Sequence, residues 1–313
     1  MISEKYGKIV KGVGGLYETR VVTAEGEVER ISSRAKGSLH RDEEKLFVGD
    51  NVKICIDTET PDGVSISEVL PRKNSLIRPP LANLDYLFIV FAAKKPTPVL
   101  ETVDKLIAIA EHNGITPVVV ISKTDLDLDA GAEYKEIYER VGLDAFLVSS
   151  FDKSGVSELK DFVKDRVRNG KTAAFAGASG VGKSTLMNAL FDNLSLRTAD
   201  ISRKIYRGRH TTRHVEIFYI EDSRDTGFLA DTPGFSMLDC SRFDVFSLEE
   251  LEGAFREFSA YRGRCRYQDC AHFGEGEGEC AVMQAVKAGK IPETRFESYR
   301  SIYRTLKNKN AYD

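Results

Sequence analysis

The sequence lacks a membrane-length apolar run, an export signal and any large net charge. The apolar stretch at residues 86–93 is far shorter than the ~20 residues that a membrane-spanning helix needs. The N-terminus, MISEKYGKIV, has neither a basic region followed by an apolar core nor an Arg/Ser-rich transit composition. We therefore expect a cytoplasmic protein with no membrane partner. With 45 Lys and Arg against 48 Asp and Glu, bulk charge cannot hold the chain to nucleic acid, although local basic patches can.

Cysteine is also scarce. Five cysteines are too few and too unevenly spaced for a disulfide framework. Three of them, Cys265, Cys270 and Cys280, lie close together near the C-terminus, and such a cluster in a reducing compartment indicates a metal more often than a disulfide. Cys55 and Cys240 stand alone, and we interpret them as small buried apolar residues.

The length of 313 residues predicts two or three domains. In the first ~70 residues, short strand-like runs alternate with turn signals such as Gly14-Gly15 and Gly49-Asp50. A small five-stranded barrel fits that pattern. The basic stretch at residues 34–38 is a candidate binding loop, with a solvated hairpin tip as the alternative.

From about residue 84 the pattern changes to alternating strands and helices. Helix-length amphipathic segments cover residues 100–112 and 156–167. Buried-strand runs lie at 86–93, 117–122, 145–150, 172–179, 215–220 and 227–231. This alternation predicts a mostly parallel sheet covered by helices.

After residue 240 the strand signals end, and residues 247–258 and 292–306 are predicted to be helices that flank the cysteine cluster. The last helix carries an apolar face formed by Phe296, Tyr299, Tyr303 and Leu306, which favours core packing over a partner groove. We expect its basic residues to point away from that face: Arg295, Arg300, Arg304 and Lys307. Arg262, Arg264 and Arg266 are the better candidates for phosphate contacts.

The strongest chemical signal is a phosphate-binding loop. Residues 177–184, GASGVGKS, follow a predicted strand, open a helix and match G-x-x-x-x-G-K-[ST]. The glycines let backbone N–H groups surround a polyphosphate, Lys183 can reach the β- and γ-phosphates, and the Ser184 hydroxyl can bind Mg²⁺. The predicted nucleotide-binding residues here are Gly177, Ala178, Ser179, Gly180, Val181, Gly182, Lys183, Ser184 and Thr185.

A second motif, Ser122, Lys123, Thr124 and Asp125, resembles the N-K-x-D guanine motif of GTPases, with serine where asparagine is usual. An aspartate carboxylate accepts two hydrogen bonds from the N1–H and N2–H₂ edge of guanine, whereas adenine would leave it unpaired. Residues 148–150, VSS, resemble the S-A-K element whose backbone N–H contacts the guanine O6, which adds Ser149 and Ser150 to the predicted site.

Two further segments resemble GTPase switches. Residues 231–234, DTPG, match D-x-x-G, in which Asp231 can hold Mg²⁺ through water and the Gly234 N–H can contact the γ-phosphate. Upstream, residues 208–212, GRHTT, form a polar loop of the kind that supplies a threonine hydroxyl to Mg²⁺. The surrounding residues 197–214 are strongly basic, which predicts contacts with RNA phosphates or, alternatively, a merely solvated loop.

The order of these motifs is unusual. Ordinary GTPases run phosphate loop, switch I, D-x-x-G, N-K-x-D and S-A-K. Here the two guanine elements, at residues 122 and 148, precede the phosphate loop at 177, the polar loop at 208 and D-T-P-G at 231. Such a circularly permuted chain leaves the GTPase core directly after the D-x-x-G motif and enters the C-terminal region, so nucleotide state could act on that region.

Together with residues 78–85, RPPLANLD, the GRHTT loop and the C-terminal cysteine cluster, this order resembles the RsgA (YjeQ-type) family of GTPases dependent on the small ribosomal subunit. The resemblance spans essentially the whole chain. It implies an N-terminal OB-type β-barrel at 1–72, a circularly permuted α/β P-loop GTPase domain at 73–240 and a mainly helical zinc-binding domain at 241–313. It also implies GTP as substrate, Mg²⁺, one structural Zn²⁺, and a partner in the small ribosomal subunit with its 16S rRNA.

The cysteine cluster has the composition of a zinc site. Cys265, Cys270, His272 and Cys280 supply three thiolates and an imidazole, which satisfy tetrahedral Zn²⁺. The FGEGEGE segment makes the spacing between His272 and Cys280 longer than in the family pattern, and a glycine-rich loop can absorb that length. Unligated, buried or redox-active cysteines are the alternative.

The predicted catalytic residues are Lys183, His210, Thr211 and Thr212. Phe235 follows D-x-x-G where many GTPases have a glutamine that orients water, so intrinsic hydrolysis should be slow. The resemblance suggests that His210 takes this role once the ribosome orders the loop; that His210 only fixes the loop is the alternative. We expect a monomeric GTPase that matures the small ribosomal subunit, binds rRNA and is released on hydrolysis. The alternative is a guanine-nucleotide switch with a protein partner, in which hydrolysis is incidental.

Overall fold

A computed structural model of the chain describes residues 2–36, 45–60, 63–77, 79–191, 215–220, 226–231, 247–274, 276 and 278–310. The chain divides into two compact units, each built from three segments. The first unit contains residues 1–86, 157–175 and 184–238, and the second contains residues 87–156, 176–183 and 239–313. Among the described residues, no helix has both the length and the apolar composition needed to span a membrane.

The regular elements follow the chain in alternating order from about residue 86. The strands are β1 Ile2–Val13, β2 Leu16–Val22, β3 Val28–Ala35, β4 Asn51–Asp57, β5 Val64–Val69, β6 Ser75–Leu76, β7 Leu81–Ala82, β8 Tyr86–Ala92, β9 Thr116–Ser122, β10 Asp144–Leu147, β11 Thr172–Ala176, β12 Glu216–Tyr219 and β13 Phe228–Asp231. The helices are α1 Leu100–His112, α2 Leu128–Arg140, α3 Val156–Arg166, α4 Lys183–Leu190, α5 Ala281–Lys287 and α6 Glu293–Asn310.

The first unit contains a closed five-stranded barrel. Strand β1 pairs antiparallel with both β2 and β4, β2 pairs with β3, β4 pairs with β5, and β3 meets β5 in parallel. The strand order is therefore β1-β2-β3-β5-β4 with β4 returning to β1, which is the OB-type arrangement predicted from the sequence. Alternate residues point inward and are fully buried, including Ile9, Ile54 and Ile66, because the pleat sends successive side chains to opposite faces.

The same unit continues from the barrel into the sheet strands of the central region. Strand β1 pairs with β12 at Lys11 and Glu216, and their side chains form a salt bridge of 3.1 Å. Strands β12 and β13 form an antiparallel pair, and β13 runs parallel to β11. Because β12 follows the predicted polar switch loop and β13 ends at Asp231, one hairpin connects the two predicted switch segments.

The second unit contains the strand order β10-β9-β8, in which β9 and β10 are parallel. Residues 118–121 of β9 are fully buried on both faces, as the uninterrupted apolar run at 117–122 predicts. Helices α1 and α2 are the connections that follow β8 and β9. The C-terminal part of this unit carries α5 and α6 around the cysteine cluster.

Three predicted elements differ from the structure. The runs at 145–150 and 172–179 end as strands at Leu147 and Ala176. Gly177 has φ +145°, and a Cβ there would lie 1.9 Å from the Val90 carbonyl oxygen, so the chain turns into a loop that only glycine permits. The segment 247–258 is no α-helix: 3₁₀ turns cover Glu252–Ala254 and Arg256–Tyr261.

Helix α6 also differs, because Arg295 does not point away from its apolar face. Residues 295, 299, 302 and 306 all lie on the buried side at helical spacing, and Arg295 is 1% exposed. Its guanidinium bonds Asp104 of α1 at 2.7 Å and Glu257 at 2.8 Å and lies 4.7 Å from the centre of the Phe255 ring. Burial raises the pKa of Asp104, and the facing guanidinium opposes that rise. The C-terminal region is thus fastened to α1 by a buried ionic cluster, Asp104–Arg295–Glu257.

We predict that Arg295→Met destabilises the protein by about 3–5 kcal/mol, because it leaves two buried carboxylates without a cation. Arg300→Met on the same helix is the matched control. Its partly exposed pair with Glu297 should contribute about 1 kcal/mol or less. Urea unfolding followed by circular dichroism measures the free energy of unfolding of each variant. Equal decreases in this free energy for the two variants would contradict a structural role for the Asp104–Arg295–Glu257 cluster.

Candidate functional site

The phosphate loop lies between β11 and α4. Its three glycines, Gly177, Gly180 and Gly182, have positive φ angles of 145°, 80° and 91°. Lys183 is the first residue of α4, and its Nζ donates to the carbonyl oxygens of Gly177 at 2.6 Å and Ala178 at 2.9 Å. The ammonium group therefore lies within the curve of the loop, where the motif requires a positive charge for a polyphosphate.

The phosphate loop is tied to the end of β9 by side chains of the second motif. The Ser122 hydroxyl, buried at the end of the strand, lies 2.6 Å from the Val181 carbonyl oxygen and 3.1 Å from that of Phe91. The next residue, Lys123, donates from Nζ to the carbonyl oxygens of Lys95 and Gly180, both at 2.7 Å. Serine thus makes the cross-connection to the phosphate loop although it stands where asparagine is usual.

The two guanine elements are also joined. The Thr124 N–H donates to the Val148 carbonyl at 3.3 Å, and the Ser149 hydroxyl donates to Asp125 Oδ1 at 2.8 Å. Asp125 itself is exposed, whereas Ser149 is fully buried. This carboxylate of an exposed residue is therefore held by a buried hydroxyl, and a carboxylate in such a position can accept hydrogen bonds from a base.

The remaining predicted nucleotide residues fall into two groups. Ser184, half-buried, and Thr185, exposed, belong to the first turn of α4, and Asp231 ends β13. The other predicted switch residues lie outside the described residues: His210, Thr211, Thr212 and Gly234. Cys240 and Phe235 lie outside them as well.

The four residues of the cysteine cluster converge on one point. The Sγ atoms of Cys265, Cys270 and Cys280 lie 3.7, 3.4 and 3.3 Å from His272 Nδ1, and all four donor atoms lie within 4.8 Å of one another. Tetrahedral zinc with its usual bond lengths would separate sulfur and nitrogen ligands by about 3.6 Å. The donor set and its spacing therefore fit zinc, and the long segment before Cys280 does not remove this cysteine from the group.

The surroundings of the cluster suit thiolate ligands. Backbone N–H groups of Ala281 and Met283 donate to the sulfurs of Cys265 and Cys280 at 3.3 and 3.4 Å. Burial raises the pKa of the Cys270 and Cys280 thiols, so a cation is needed to hold them as thiolates. The Phe258 ring meets the His272 ring edge-on at 5.6 Å and fixes the orientation of the imidazole.

Sequence reasoning missed the contacts that depend on carbonyl oxygens and on distant segments. Nothing in the sequence indicates that Phe91, Lys95 and Val181 supply acceptors to the second motif. It also gives no signal that Glu252 Oε2 lies 3.9 Å from His272 Nε2, the ring nitrogen that does not face the cysteine sulfurs. Such neighbours become visible only when the chain is folded, because they are separated by tens of residues.

Comparison with known proteins agrees with this geometry. The model of the RsgA GTPase family matches residues 69–241, and that of the RsgA N-terminal domain matches residues 6–64. The chain belongs to the RsgA GTPase family. A relative from Listeria monocytogenes, named small ribosomal subunit biogenesis GTPase RsgA 2, is 41% identical over 97% of this chain and 98% of its own length. The small ribosomal subunit biogenesis GTPase RsgA of Caldanaerobacter subterraneus is 40% identical over 97% of this chain and 96% of its own length.

Solved structures of the family have the same fold. YjeQ from Thermotoga maritima superposes with a TM-score of 0.79 at 31% identity, covering 97% of this chain and 99% of that one. YloQ, described as a circularly permuted GTPase, superposes with a TM-score of 0.75 at 30% identity, covering 98% of this chain and 96% of that one. The predicted fold class is therefore confirmed, and the central region is a GTP-hydrolysing domain. The domain limits at 1–72, 73–240 and 241–313 stay predictions.

We predict that Ser122→Ala weakens GDP binding about tenfold, because it leaves the Val181 carbonyl without its donor and loosens the phosphate loop. Ser122→Asn, which can donate to both Val181 and Phe91, should bind GDP at least as tightly as the natural chain. Isothermal titration calorimetry compares the three proteins. If Ser122→Ala bound GDP within twofold of the natural chain, the hydroxyl would not be holding the loop.

For the cysteine cluster, we predict that the purified protein carries one zinc ion per chain. The Cys270→Ala variant should have a much lower zinc content, because three remaining ligands bind zinc much more weakly than four. Cys55→Ala is the control, since Cys55 lies in β4 of the barrel and outside the cluster. Atomic emission spectroscopy measures the zinc content. Full zinc in Cys270→Ala would show that this thiol is not a ligand.

Proposed function

We propose that this GTPase acts in the maturation of the small ribosomal subunit, binds 16S rRNA and is released when GTP is hydrolysed. The observation that supports the GTPase part of the proposal is the connection of residues 122–125 to the phosphate loop through Ser122 and Lys123, which would bring motifs in permuted order into one nucleotide site. The relatives named small ribosomal subunit biogenesis GTPase support the ribosomal partner. They give no support to a protein-directed switch in which hydrolysis is incidental.

Guanine would be recognised at Asp125. Its carboxylate accepts the two donors of the guanine edge, and the Ser149 hydroxyl, which donates to Oδ1, keeps it in position. Lys123 would lie along the purine face, and a backbone N–H next to Ser150 would meet O6. The nine residues 177–185 would surround the phosphates, with Lys183 neutralising the charge that spreads over the transferred group.

Ser184, Asp231 and a threonine of the polar loop would hold Mg²⁺, because hydroxyl and carboxylate oxygens are its preferred ligands. When bound, Mg²⁺ would supply positive charge that offsets the negative charge of the phosphates. Gly234 would contact the γ-phosphate through its N–H. We assign water positioning to His210 and support of that loop to Thr211 and Thr212, since Phe235 cannot orient water.

The rRNA would contact the barrel and the zinc region through exposed cations. Arg34 and Lys36 are exposed at the end of β3, and Arg264 is exposed before the first zinc ligand. The other two predicted phosphate contacts of the zinc region, Arg262 and Arg266, form salt bridges with Glu252 and Glu279. We therefore rank Arg264 above these two as a phosphate contact, and we propose a monomeric, cytoplasmic protein.

We predict that phosphate release from GTP is slow for the isolated protein and rises at least about tenfold when purified small ribosomal subunits are added, because the subunit completes the catalytic arrangement. ATP should be hydrolysed slowly in both conditions, since adenine leaves Asp125 unpaired. Turnover that stays flat with subunits would remove the ribosomal role while leaving the nucleotide site in place.

The His210→Ala variant tests the catalytic assignment in the same assay. It should keep GTP binding but lose most of the stimulated turnover. Full stimulation of His210→Ala would show that the imidazole only fixes its loop.

Raising the salt concentration should weaken subunit binding steeply if phosphate contacts dominate.

A further inference from the structure

Phe151 is the most exposed large apolar side chain in the described part of the chain, at 87%. Single exposed apolar residues are common and need no explanation by themselves. The position of this one is informative, because it comes two residues after Ser149, the hydroxyl that holds Asp125. Phe151 also directly follows residues 148–150, which resemble the S-A-K element.

The loop that carries Phe151 is held by its own hydrogen bonds. The Ser149 N–H donates to the Ser154 carbonyl at 3.0 Å. Asp152 Oδ1 accepts from the N–H and the hydroxyl of Ser154 at 2.9 and 2.8 Å. Gly155 closes the loop at φ +68°, where a Cβ would lie 1.9 Å from the Leu147 carbonyl oxygen. The backbone at Phe151 is therefore fixed, although its side chain is exposed.

One hydroxyl connects this loop to the guanine-reading carboxylate. Ser149 Oγ donates to Asp125 Oδ1 at 2.8 Å and accepts from the N–H groups of Phe151 at 3.2 Å and Asp152 at 3.3 Å. The backbone of Phe151 and the carboxylate of Asp125 thus share one hydrogen-bonding partner. A base that bonds Asp125 would therefore lie beside the loop whose backbone carries Phe151.

We propose that Phe151 stacks on the guanine ring and is an affinity-determining residue of the nucleotide site. This inference rests on the proposed guanine recognition by Asp125 and Ser149. Stacking of an aromatic ring on a base tolerates any purine, because every base has a π-face. Phe151 therefore strengthens binding of the base, while Asp125 selects guanine among the bases.

The test is the dissociation constant of GDP, measured by calorimetry on the full-length, zinc-loaded chain. Phe151→Ala and Phe151→Leu should each weaken GDP binding about tenfold, and Phe151→Tyr should bind like the natural protein. Ile77→Ala is the matched control, because Ile77 is 78% exposed on another segment and belongs to no nucleotide motif. Phe151→Ala should weaken the binding of inosine diphosphate, which lacks the 2-amino group, by the same factor as the binding of GDP. Binding of GDP by Phe151→Ala within twofold of the natural chain would overturn the proposal.

A spectroscopic variant separates stacking from a change in loop structure. The chain has no tryptophan, so Phe151→Trp introduces a single fluorophore. Its emission should be quenched by GDP and unchanged by inorganic pyrophosphate, which has no base. Emission that does not respond to saturating GDP would contradict stacking.

Asp125→Asn distinguishes failure of this inference from failure of the proposed site. An asparagine amide can donate to the 2-oxo group of xanthine, so this variant should lose affinity for GDP and gain affinity for xanthosine diphosphate. If it does so while Phe151→Ala is neutral, only the stacking is wrong. If Asp125→Asn leaves GDP binding unchanged, the guanine site itself is misassigned, and the inference falls with it.

Discussion

The carbonyl oxygens of the phosphate loop impose the constraint on which the nucleotide site depends. A loop that turns its N–H groups toward a polyphosphate must turn carbonyl oxygens outward, and each buried one needs a donor. Among the buried residues of the loop, Val181 receives a donor from Ser122 and Gly177 receives one from Lys183. Lys123 and Lys183 also bond the carbonyl oxygens of Gly180 and Ala178, which are exposed residues. The motif at residues 122–125 therefore holds the phosphate loop, and through the proposed recognition of the base by Asp125 one network would position both parts of the nucleotide.

The permuted order gives the C-terminal region a mechanical connection to the GTPase domain at two places in the chain. The chain enters this region soon after Asp231, and the region packs onto α1 through the buried Asp104–Arg295–Glu257 cluster. Arg256 adds hydrogen bonds to Glu111 of α1 and to the Gly142 carbonyl. A charge that is fully desolvated resists separation from its partners. A displacement of the C-terminal region would therefore displace α1 as well, because the buried ion pairs hold the two together.

The sequence predicted much of this arrangement because its signals are local. The barrel, the buried strands, the phosphate loop and the zinc donor set follow from alternation, glycine spacing and ligand spacing. The failures have longer-range causes. Arg295 looked like a surface residue because its two carboxylate partners are distant in sequence, and residues 247–258 looked helical although the chain is extended at Phe255, with φ −112° and ψ 90°. The exposure of Phe151 likewise depends on how its loop folds.

The cysteine cluster lies in the part of the C-terminal region where regular structure is short, between the 3₁₀ turn at Arg256–Tyr261 and the seven-residue helix α5. Phe258 and Tyr299 lie against His272, and Phe296 packs against both of these rings. The Tyr299 hydroxyl donates to the Ala271 carbonyl at 2.7 Å. A region of this size buries a limited apolar area, and such regions usually need a metal or disulfides to stay folded. A metal that joins Cys265 to Cys280 would close the loop between these two cysteines and fix the start of α5. The ligand set therefore acts on folding first, and any effect on partner binding follows from the surface it holds in place.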